Sequence, residues 1–422
     1  MLETFRNAWR VEELRKKILY TLMMLLIYRL GGIIPTPFID TEVIASAISS
    51  MSVLGMIDFI NGQNFSNFTI FAMGIQPYIT SSIIMQLLTI AIPSLEKLQK
   101  EGEEGRKKIA QITRYVTVAL GFVMAVGIIL SLGSQAFLDG NPTWFEYMVV
   151  FLSLAGGTAF SMWIGERITE NGIGNGISLM IFVGIIASFP GQIYEAITAV
   201  AINPISAWYI PLVVIGILLL VVGIVFVDEG QRRIPVQYAK RMVGRRMYGG
   251  QSTHIPIKVN SSGVMPLIFA ISIIQTPSIF AAFWPSSGFS LWYNRWFSAS
   301  SWLYMLGFAV LIVAFTYFYS SITFNPQEIS KNLQQNGGFI PGFRPGKPTV
   351  DFIKKVLNKI TLFGAIYLGI VAICPLLVGR VIGNSSVAIG GTSVIIVVGV
   401  ALETVKALES QMLMRQYKGF LE

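Results

Sequence analysis

Long apolar runs of about 20 residues, divided by short polar or charged stretches, set the hydropathy pattern of this chain. Crossing a bilayer core of about 30 Å takes roughly 20 mostly apolar residues in a helix. Ten runs meet that measure: 18–38, 71–92, 112–132, 147–165, 177–199, 207–227, 262–283, 302–323, 360–380 and 387–406. Open strand edges cannot sit in hydrocarbon, so the runs predict helices and an all-α polytopic membrane protein. One stretch breaks the pattern. Residues 52–70, SVLGMIDFINGQNFSNFTI, are too polar to span and too apolar for a free loop. A re-entrant segment and an external loop packed on helices both fit it.

Two pairs of spans carry matching words. GIQPYI (74–79) in span 2 parallels GVMPLI (263–268) in span 7, and GISLMIFVG (176–184) in span 5 parallels GTSVIIVVG (391–399) in span 10. Both pairs fit two halves of five spans. An odd number of spans per half makes the repeat inverted, and Gly/Pro-interrupted spans at matching places point to a site between the halves. Gly and Pro in GIQPYITSSI (74–83) loosen the helix, and its Thr and Ser side chains are expected to face inward. Ile75, Ile79, Ile83 and Gln86 follow one helical face, and Ile177 and Ile181 form a similar stripe. Helix packing, lipid contact and an inward-facing lining all produce such stripes.

Charge fixes an orientation. Of the 31 Lys and Arg, 28 fall in the N-terminal stretch, in alternate loops or at the C-terminal end, leaving Arg29 inside span 1 and Arg295 and Arg380 on the opposite side. That asymmetry predicts ten spans with both termini cytoplasmic. The start, MLETFRNAWRVEELRKKILY, mixes acids with bases and lacks a small-residue cleavage site, so it is expected to be a retained amphipathic lead-in. Composition agrees: 53% of residues are hydrophobic and 13% charged, with a mean hydropathy of +0.64.

Much chemistry is excluded. One Cys (Cys374) and one His (His254) rule out internal disulfides and Cys- or His-cluster metal sites. GFRPGKPT (342–349) has the wrong spacing for a phosphate loop, and GIGNGI (172–177) is not a dinucleotide fingerprint. Neither an enzyme activity nor a cofactor is expected. Ionisable acids inside the spans are almost confined to Glu403, although a coupled carrier normally needs several. The two long inner loops are basic. Residues 227–259 carry Arg232, Arg233, Arg245 and Arg246, with alternation in RRIPVQYAKR that resembles a hairpin strand. Residues 325–359 add Arg344 on a Gly/Pro-stiffened tip. Headgroup contact explains such charge, and so does docking of a large acidic partner, protein or ribosomal RNA. A passive polypeptide channel, a secondary transporter with five-plus-five inverted repeats and an inert membrane receptor stand as the three function classes.

FAMGIQPYITSSIIMQLL, KEGEEGRKKIAQITRY, GERITENGIGNGIS, DEGQRRIPVQYAKR, QSTHIPIKVN, FNPQEISKNLQQNGGFIPGFRPGK and GGTSVIIVV resemble the SecY family, the central subunits of the bacterial protein-translocation channel. The resemblance runs along essentially the whole chain. It implies ten transmembrane helices in two inverted five-helix halves around a central pore, narrowed by an aliphatic ring at Ile75, Ile79, Ile177, Ile181, Ile268 and Ile396. It implies a plug near 52–67, including Phe59, Asn61 and Phe65, and a lateral gate of spans 2 and 3 against 7 and 8. Gln86 and Asn260 are the expected polar groups at that seam. Expected partners are the SecE and SecG subunits, the SecA ATPase, the ribosome, unfolded preproteins with their signal sequences, and membrane lipids. Arg232, Arg233, Arg245, Arg246 and Arg344 match the docking region. The implied location is the bacterial cell membrane. The implied division is a cytoplasmic N-terminus (1–17), an N-terminal half (18–200), a C-terminal half (207–406) with cytoplasmic loops 228–259 and 324–359, and a tail (407–422). Two departures are visible: DFINGQNF in the plug is bulkier than the family's Gly-rich stretch, and Gln76 stands where Met is expected.

Overall fold

The computed structural model describes residues 6, 8–44, 58, 61–138, 140–202, 209–238, 241–243, 246–248, 252–283, 287–297, 301–382 and 385–418. Each of the ten expected spans coincides with a long helix. The first half holds α1 (Glu12–Gly31), α2 (Gln76–Ala91), α3 (Pro93–Lys100), α4 (Glu103–Leu132), α5 (Trp144–Asn171) and α6 (Gly176–Ile202). In the second half, α7 (Tyr209–Glu229) leads to strands β1 (Gln231–Tyr238), β2 (Arg241–Val243), β3 (Arg246–Tyr248) and β4 (Ser252–Lys258). Then come α8 (Met265–Phe283), α9 (Gly288–Trp296), α10 (Trp302–Thr323), α11 (Pro326–Gln335), β5 (Gly338–Phe339), α12 (Lys347–Ile382) and α13 (Ser385–Lys418). Spans 1 to 10 are α1, α2, α4, α5, α6, α7, α8, α10, α12 and α13. Among the described residues, five of these helices pass a strict length-and-hydropathy test alone, and α2 with α3 makes a sixth, bent by 99° at Ile92. The bend has a plain cause: Pro93 stands at the start of α3 and holds Ile92 in extended backbone.

Two expected boundaries move. α1 begins earlier and stops at Gly31, because Gly32 and the prolines of IIPTP cannot continue it. In span 2, residues 71–75 are turns, so the helix starts at Gln76. Gly74 there has φ +53° and Gly263 before α8 has φ +61°, a left-handed backbone that suits Gly. Each is followed three residues later by a Pro in the first helical turn. The Gly and Pro of GIQPYI therefore open a helix rather than loosen one, and they open both repeat partners alike.

Neighbouring helices pack in matching order in the two halves: α2 on α4, α4 on α5 and α5 on α6 parallel α8 on α10, α10 on α12 and α12 on α13. Hydroxyl pairs tie each half internally. Ser81 Oγ lies 2.5 Å from Thr117 Oγ1 across α2 and α4, and Ser320 Oγ lies 2.8 Å from Thr361 Oγ1 across α10 and α12. The inward polarity of GIQPYITSSI is thus spent within its own half: Ser81 clamps α4 and Thr80 Oγ1 donates back to Gln76 O at 3.1 Å.

The two inner loops form one unit. β1 pairs with β4 in antiparallel register (Gln231↔Lys258 to Gln237↔Ser252), and on its other edge with β5 (Gln237↔Phe339). β2 and β3 make a separate hairpin. Ile234 and Val236 alternate inward along β1 and bury with Ile257, Leu333, Ile340, Ile353 and Leu357. A 36-residue α12 is about 54 Å long by its 1.5 Å rise, well beyond the hydrocarbon core, so its first turns reach into this module.

Candidate functional site

The halves meet along two seams. α8 packs against α2 and α4, and α6 packs against α13. Local chemistry sets the position of each seam residue. Asn175 Oδ1 accepts from Ile177 N at 3.0 Å and Ser178 N at 3.4 Å, starting α6 at Gly176. Gly176 in turn lies so close to Gly165 O that a Cβ would sit 2.1 Å from it. In the second half Glu403 Oε1 on α13 accepts from Val264 N at 3.2 Å and fixes the start of α8.

These helix starts bring all six predicted isoleucines together. Ile75, Ile79, Ile181, Ile268 and Ile396 are buried in one apolar cluster with Ile83, Ile185 and Ile271, and Ile177 packs half-buried against it. Within that cluster, which extends to α1, α5, α7, α10 and α12, the six isoleucines come from the start of α2 and from α6 in the first half and from α8 and α13 in the second. Packed isoleucines offer an ion no replacement for lost hydration, and they hold a polypeptide by no hydrogen bond. Gln76 is buried beside Ile75 with its Nε2 unpartnered.

The expected polar pair separates. Gln86 Oε1 accepts from Tyr319 OH on α10 at 2.9 Å, a hydrogen bond across the halves. Asn260 stays within the second half, where Nδ2 donates to Asp228 Oδ1 at 2.7 Å and Gly263 O at 3.2 Å. Lys406 Nζ donates to Asp228 O at 3.1 Å beside it. Tyr319 carries no sequence mark beyond an aromatic in an aromatic-rich span, and only the Gln86 contact reveals it. Its removal has a signed consequence: Tyr319→Phe keeps the ring and loses the bond. Membrane hydrogen bonds average about 0.6 kcal/mol, so the population in which α2 and α10 have parted is expected to rise roughly threefold, read as loss of cysteine crosslinking between the two helices. An unchanged crosslinking yield would show that the bond does not hold this seam.

Of the expected plug residues, Phe59 lies outside the described residues, and of 52–67 only Asp58 and 61–67 are described. That stretch is a tight, buried loop and not a free one. Asp58 Oδ1 accepts from Phe65 N at 2.9 Å and Ser66 N at 2.8 Å, and Oδ2 accepts from Ser66 Oγ. Burial pushes the Asp58 carboxyl above its ordinary value, and these three donors pull against that shift. Asn61 Nδ2 donates to Ala72 O at 3.3 Å. Arg29, the lone cation of span 1, donates to Gly62 O at 3.3 Å. A Cβ on Gly62 would meet Gly184 O of α6 at 2.9 Å, so the loop rests on the helix that carries Ile181. Phe65 packs in a second cluster with Phe68, Met124, Phe137 and Leu154, away from the isoleucines.

Arg232 and Arg233 are exposed on β1, and Arg344 is exposed on the tip after β5. That tip is rigid: Gly342 and Gly346 are left-handed, Thr349 Oγ1 donates to Arg344 O at 2.8 Å, and Phe343 packs on Phe352 with centroids 4.2 Å apart. Arg245 lies outside the described residues, and Arg246 lies on β3.

Comparison with known proteins reaches the same place. A family model described as SecY matches residues 69–405. A protein translocase subunit SecY of Bacillus licheniformis is 45% identical, over 100% of both chains. A solved structure described as that of a protein conducting channel superposes with a TM-score of 0.66 at 21% identity, covering 94% of this chain and 92% of the other. Sec61 in a canine ribosome-channel complex gives 0.62 at 20% identity, again over 94% and 92%. Those two likenesses show the fold.

Proposed function

The chain belongs to the SecY family, and from that premise we propose that its six isoleucines are the waist of a polypeptide-conducting pore. The protein is a multi-pass membrane protein and a subunit of a protein-conducting translocation channel, not a member of an enzyme family. One observation carries the assignment of the waist: isoleucines from four helices, two per half, bury together where the halves meet. Unfolded secretory polypeptide displaces these flexible side chains on its way through, and the ring closes behind it against ions. Spans parting at the α2/α4–α8/α10 seam release apolar segments sideways into lipid. A signal helix is 10–12 Å wide, so the seam must open by about that much.

Energy comes from outside the chain. The partners are a SecA ATPase or the ribosome on the cytoplasmic side, with SecE and SecG as companion subunits. The channel sits in the bacterial cell membrane with both termini in the cytoplasm, supported by the charge asymmetry of the loops. The segment 52–67 is its plug, supported by the contact of Gly62 with α6. Substrate stalled in the channel should crosslink to probes at positions 75, 79 and 268, and an absence of adducts at all three refutes the waist.

Arg344, with Arg232 and Arg233, docks the motor through charge on the composite sheet module. The expected result for Arg344→Glu is at least a tenfold loss of ATP-driven translocation in reconstituted vesicles. Reversing the charge sets like charges against each other across the interface, which slows encounter and costs on the order of several kcal/mol. Assembly should be unaffected, since the side chain is exposed. Normal translocation would remove Arg344 from the docking surface.

A further inference from the structure

α9 lies outside the ten spans, in the link between α8 and α10, on the membrane face opposite the basic module. It packs on α8. Its burial runs against the usual pattern of a surface helix. Ser290 and Tyr293 form the buried side, and both are bonded to α8. Ser290 Oγ donates to Ala281 O, Tyr293 OH donates to Ile274 O at 3.2 Å, and Ser278 Oγ donates to Tyr293 OH at 2.8 Å. The outward side is the apolar one: Phe289, Leu291, Trp292 and Trp296 are 51%, 64%, 52% and 49% exposed. A helix that faces water turns its polar residues outward, so this face calls for a cover other than water.

Composition and position choose lipid as that cover. Trp is the residue of the headgroup boundary, with a large apolar ring and one N–H donor. Four of the eight tryptophans of the chain fall at 284, 292, 296 and 302. Residues 284–302 hold Arg295 and no acid, a charge that matches a phosphate layer. The exposed apolar surface continues onto α10, where Trp302 and Leu306 are each 65% exposed on a transmembrane helix. Arg380, the other cation of this side, stacks on Trp302 with its guanidinium 5.0 Å from the ring centroid. Height is constrained as well. Residues 297–301 are all that join α9 to α10, and such a link reaches at most about 20 Å.

We propose that α9 is an interfacial anchor, seated in the phospholipid headgroup layer of the leaflet opposite the basic module, with Trp292 and Trp296 at the headgroup–acyl boundary and Arg295 at the phosphates. The inference needs only that the chain crosses a membrane, and it stands apart from the channel reading. An anchor of this kind lies in the membrane plane with its apolar face sunk about 5–10 Å. Tyr293 carries the grip into the bundle, because its hydroxyl bonds α8 at both Ile274 and Ser278. The bilayer thereby holds the end of α8 that is remote from the docking module.

The test uses the full channel, assembled with its companion subunits in phosphatidylcholine–phosphatidylglycerol proteoliposomes, so that any protein cover is in place. On a Cys374→Ser background, a thiol-linked fluorophore is introduced through Leu291→Cys, and through Arg233→Cys on the docking module as a water-facing control. Nitroxide lipids labelled near the head of the acyl chain are expected to quench the probe at 291 roughly threefold more than lipids labelled at the chain end, as a shallow interfacial seat requires. Iodide on both sides of the membrane should quench the probe at 233 and spare the one at 291. Trp292→Ser with Trp296→Ser is expected to cut lipid quenching at 291 by about half or more and to admit iodide, whereas Trp292→Tyr with Trp296→Tyr restores the unsubstituted pattern, since Tyr also belongs to the interface. Strong iodide quenching at 291 without lipid quenching overturns the proposal, because α9 then stands in water. Quenching by neither also overturns it, and gives the face to a protein neighbour. Lipid quenching that the serine pair leaves unchanged removes the tryptophans from the anchor and overturns it as stated.

Discussion

Asn at Ile75, Ile79, Ile181, Ile268 and Ile396 together should raise the resting ion conductance of the reconstituted channel by at least an order of magnitude. All five are buried in one cluster built from both halves. An ion forced against apolar walls loses hydration that nothing replaces, a cost that reaches tens of kcal/mol in the idealised limit, and this exclusion is what the proposed waist would supply. Asn brings an amide donor and acceptor to each position and is shorter than Ile, so the cluster becomes both wettable and loose. The single variants Ile79→Asn and Ile268→Asn keep the test sharp if the fivefold variant fails to assemble, since each opens one helix of the ring from a different half. Ile177 is half-buried at the margin of the cluster, and Ile177→Asn is expected to leak least. Planar-bilayer recordings on assembled channel give the comparison, and a leak no larger than that of the unsubstituted protein would place the ion barrier elsewhere.

Sequence reading found the elements whose signal is collective and missed those that depend on one contact. Ten apolar runs, an alternation of charge and two repeated words were enough for the spans and the halves, whereas the ring of six isoleucines came from the family resemblance, because a helical stripe of Ile fits packing or lipid contact equally well. Period-two burial in RRIPVQY was legible too, and Ile234 and Val236 do point inward. The partner of that strand on one edge was not, because β5 has two residues and is made a strand only by pairing across from another loop. Tyr319 and Arg29 escaped for the same reason: each acts through one bond to a residue distant in the chain. Asn260 was picked for polarity alone, and polarity does not tell a seam from a joint within one half, where Asp228 holds it. The reading of GIQPYI as a mid-span flaw came from assuming that an apolar run is helical from its first residue. Phe71 to Ile75 are apolar yet turned, because they carry the chain from the buried loop at 61–70 into α2.

That turn also sets the position of Ile75, and a neighbouring pair of glycines tests it. Gly157 on α5 lies against the backbone of Ile70: a Cβ there would sit 2.0 Å from Ile70 O and 2.8 Å from its carbonyl carbon. Ile70 cannot simply retreat. Its N–H donates to Ile34 O at 3.0 Å, and Thr36 N donates to Phe68 O at 2.9 Å just before it. Gly157→Ala must therefore push the strap that leads into α2, and Ile75 follows five residues later, immediately before that helix. Overpacking of this kind costs about 1–3 kcal/mol. Gly156 has open space around its Cβ position, and Ala there improves helix propensity by up to about 1 kcal/mol. Gly157→Ala is expected to lower the thermal midpoint of the detergent-solubilised complex and to raise resting ion leak, whereas Gly156→Ala leaves both unchanged or slightly improves stability. Equal effects from the two adjacent substitutions would mean that α5 tolerates bulk on either face, and that the strap, and with it the placement of Ile75, does not depend on the close approach of Gly157 to Ile70.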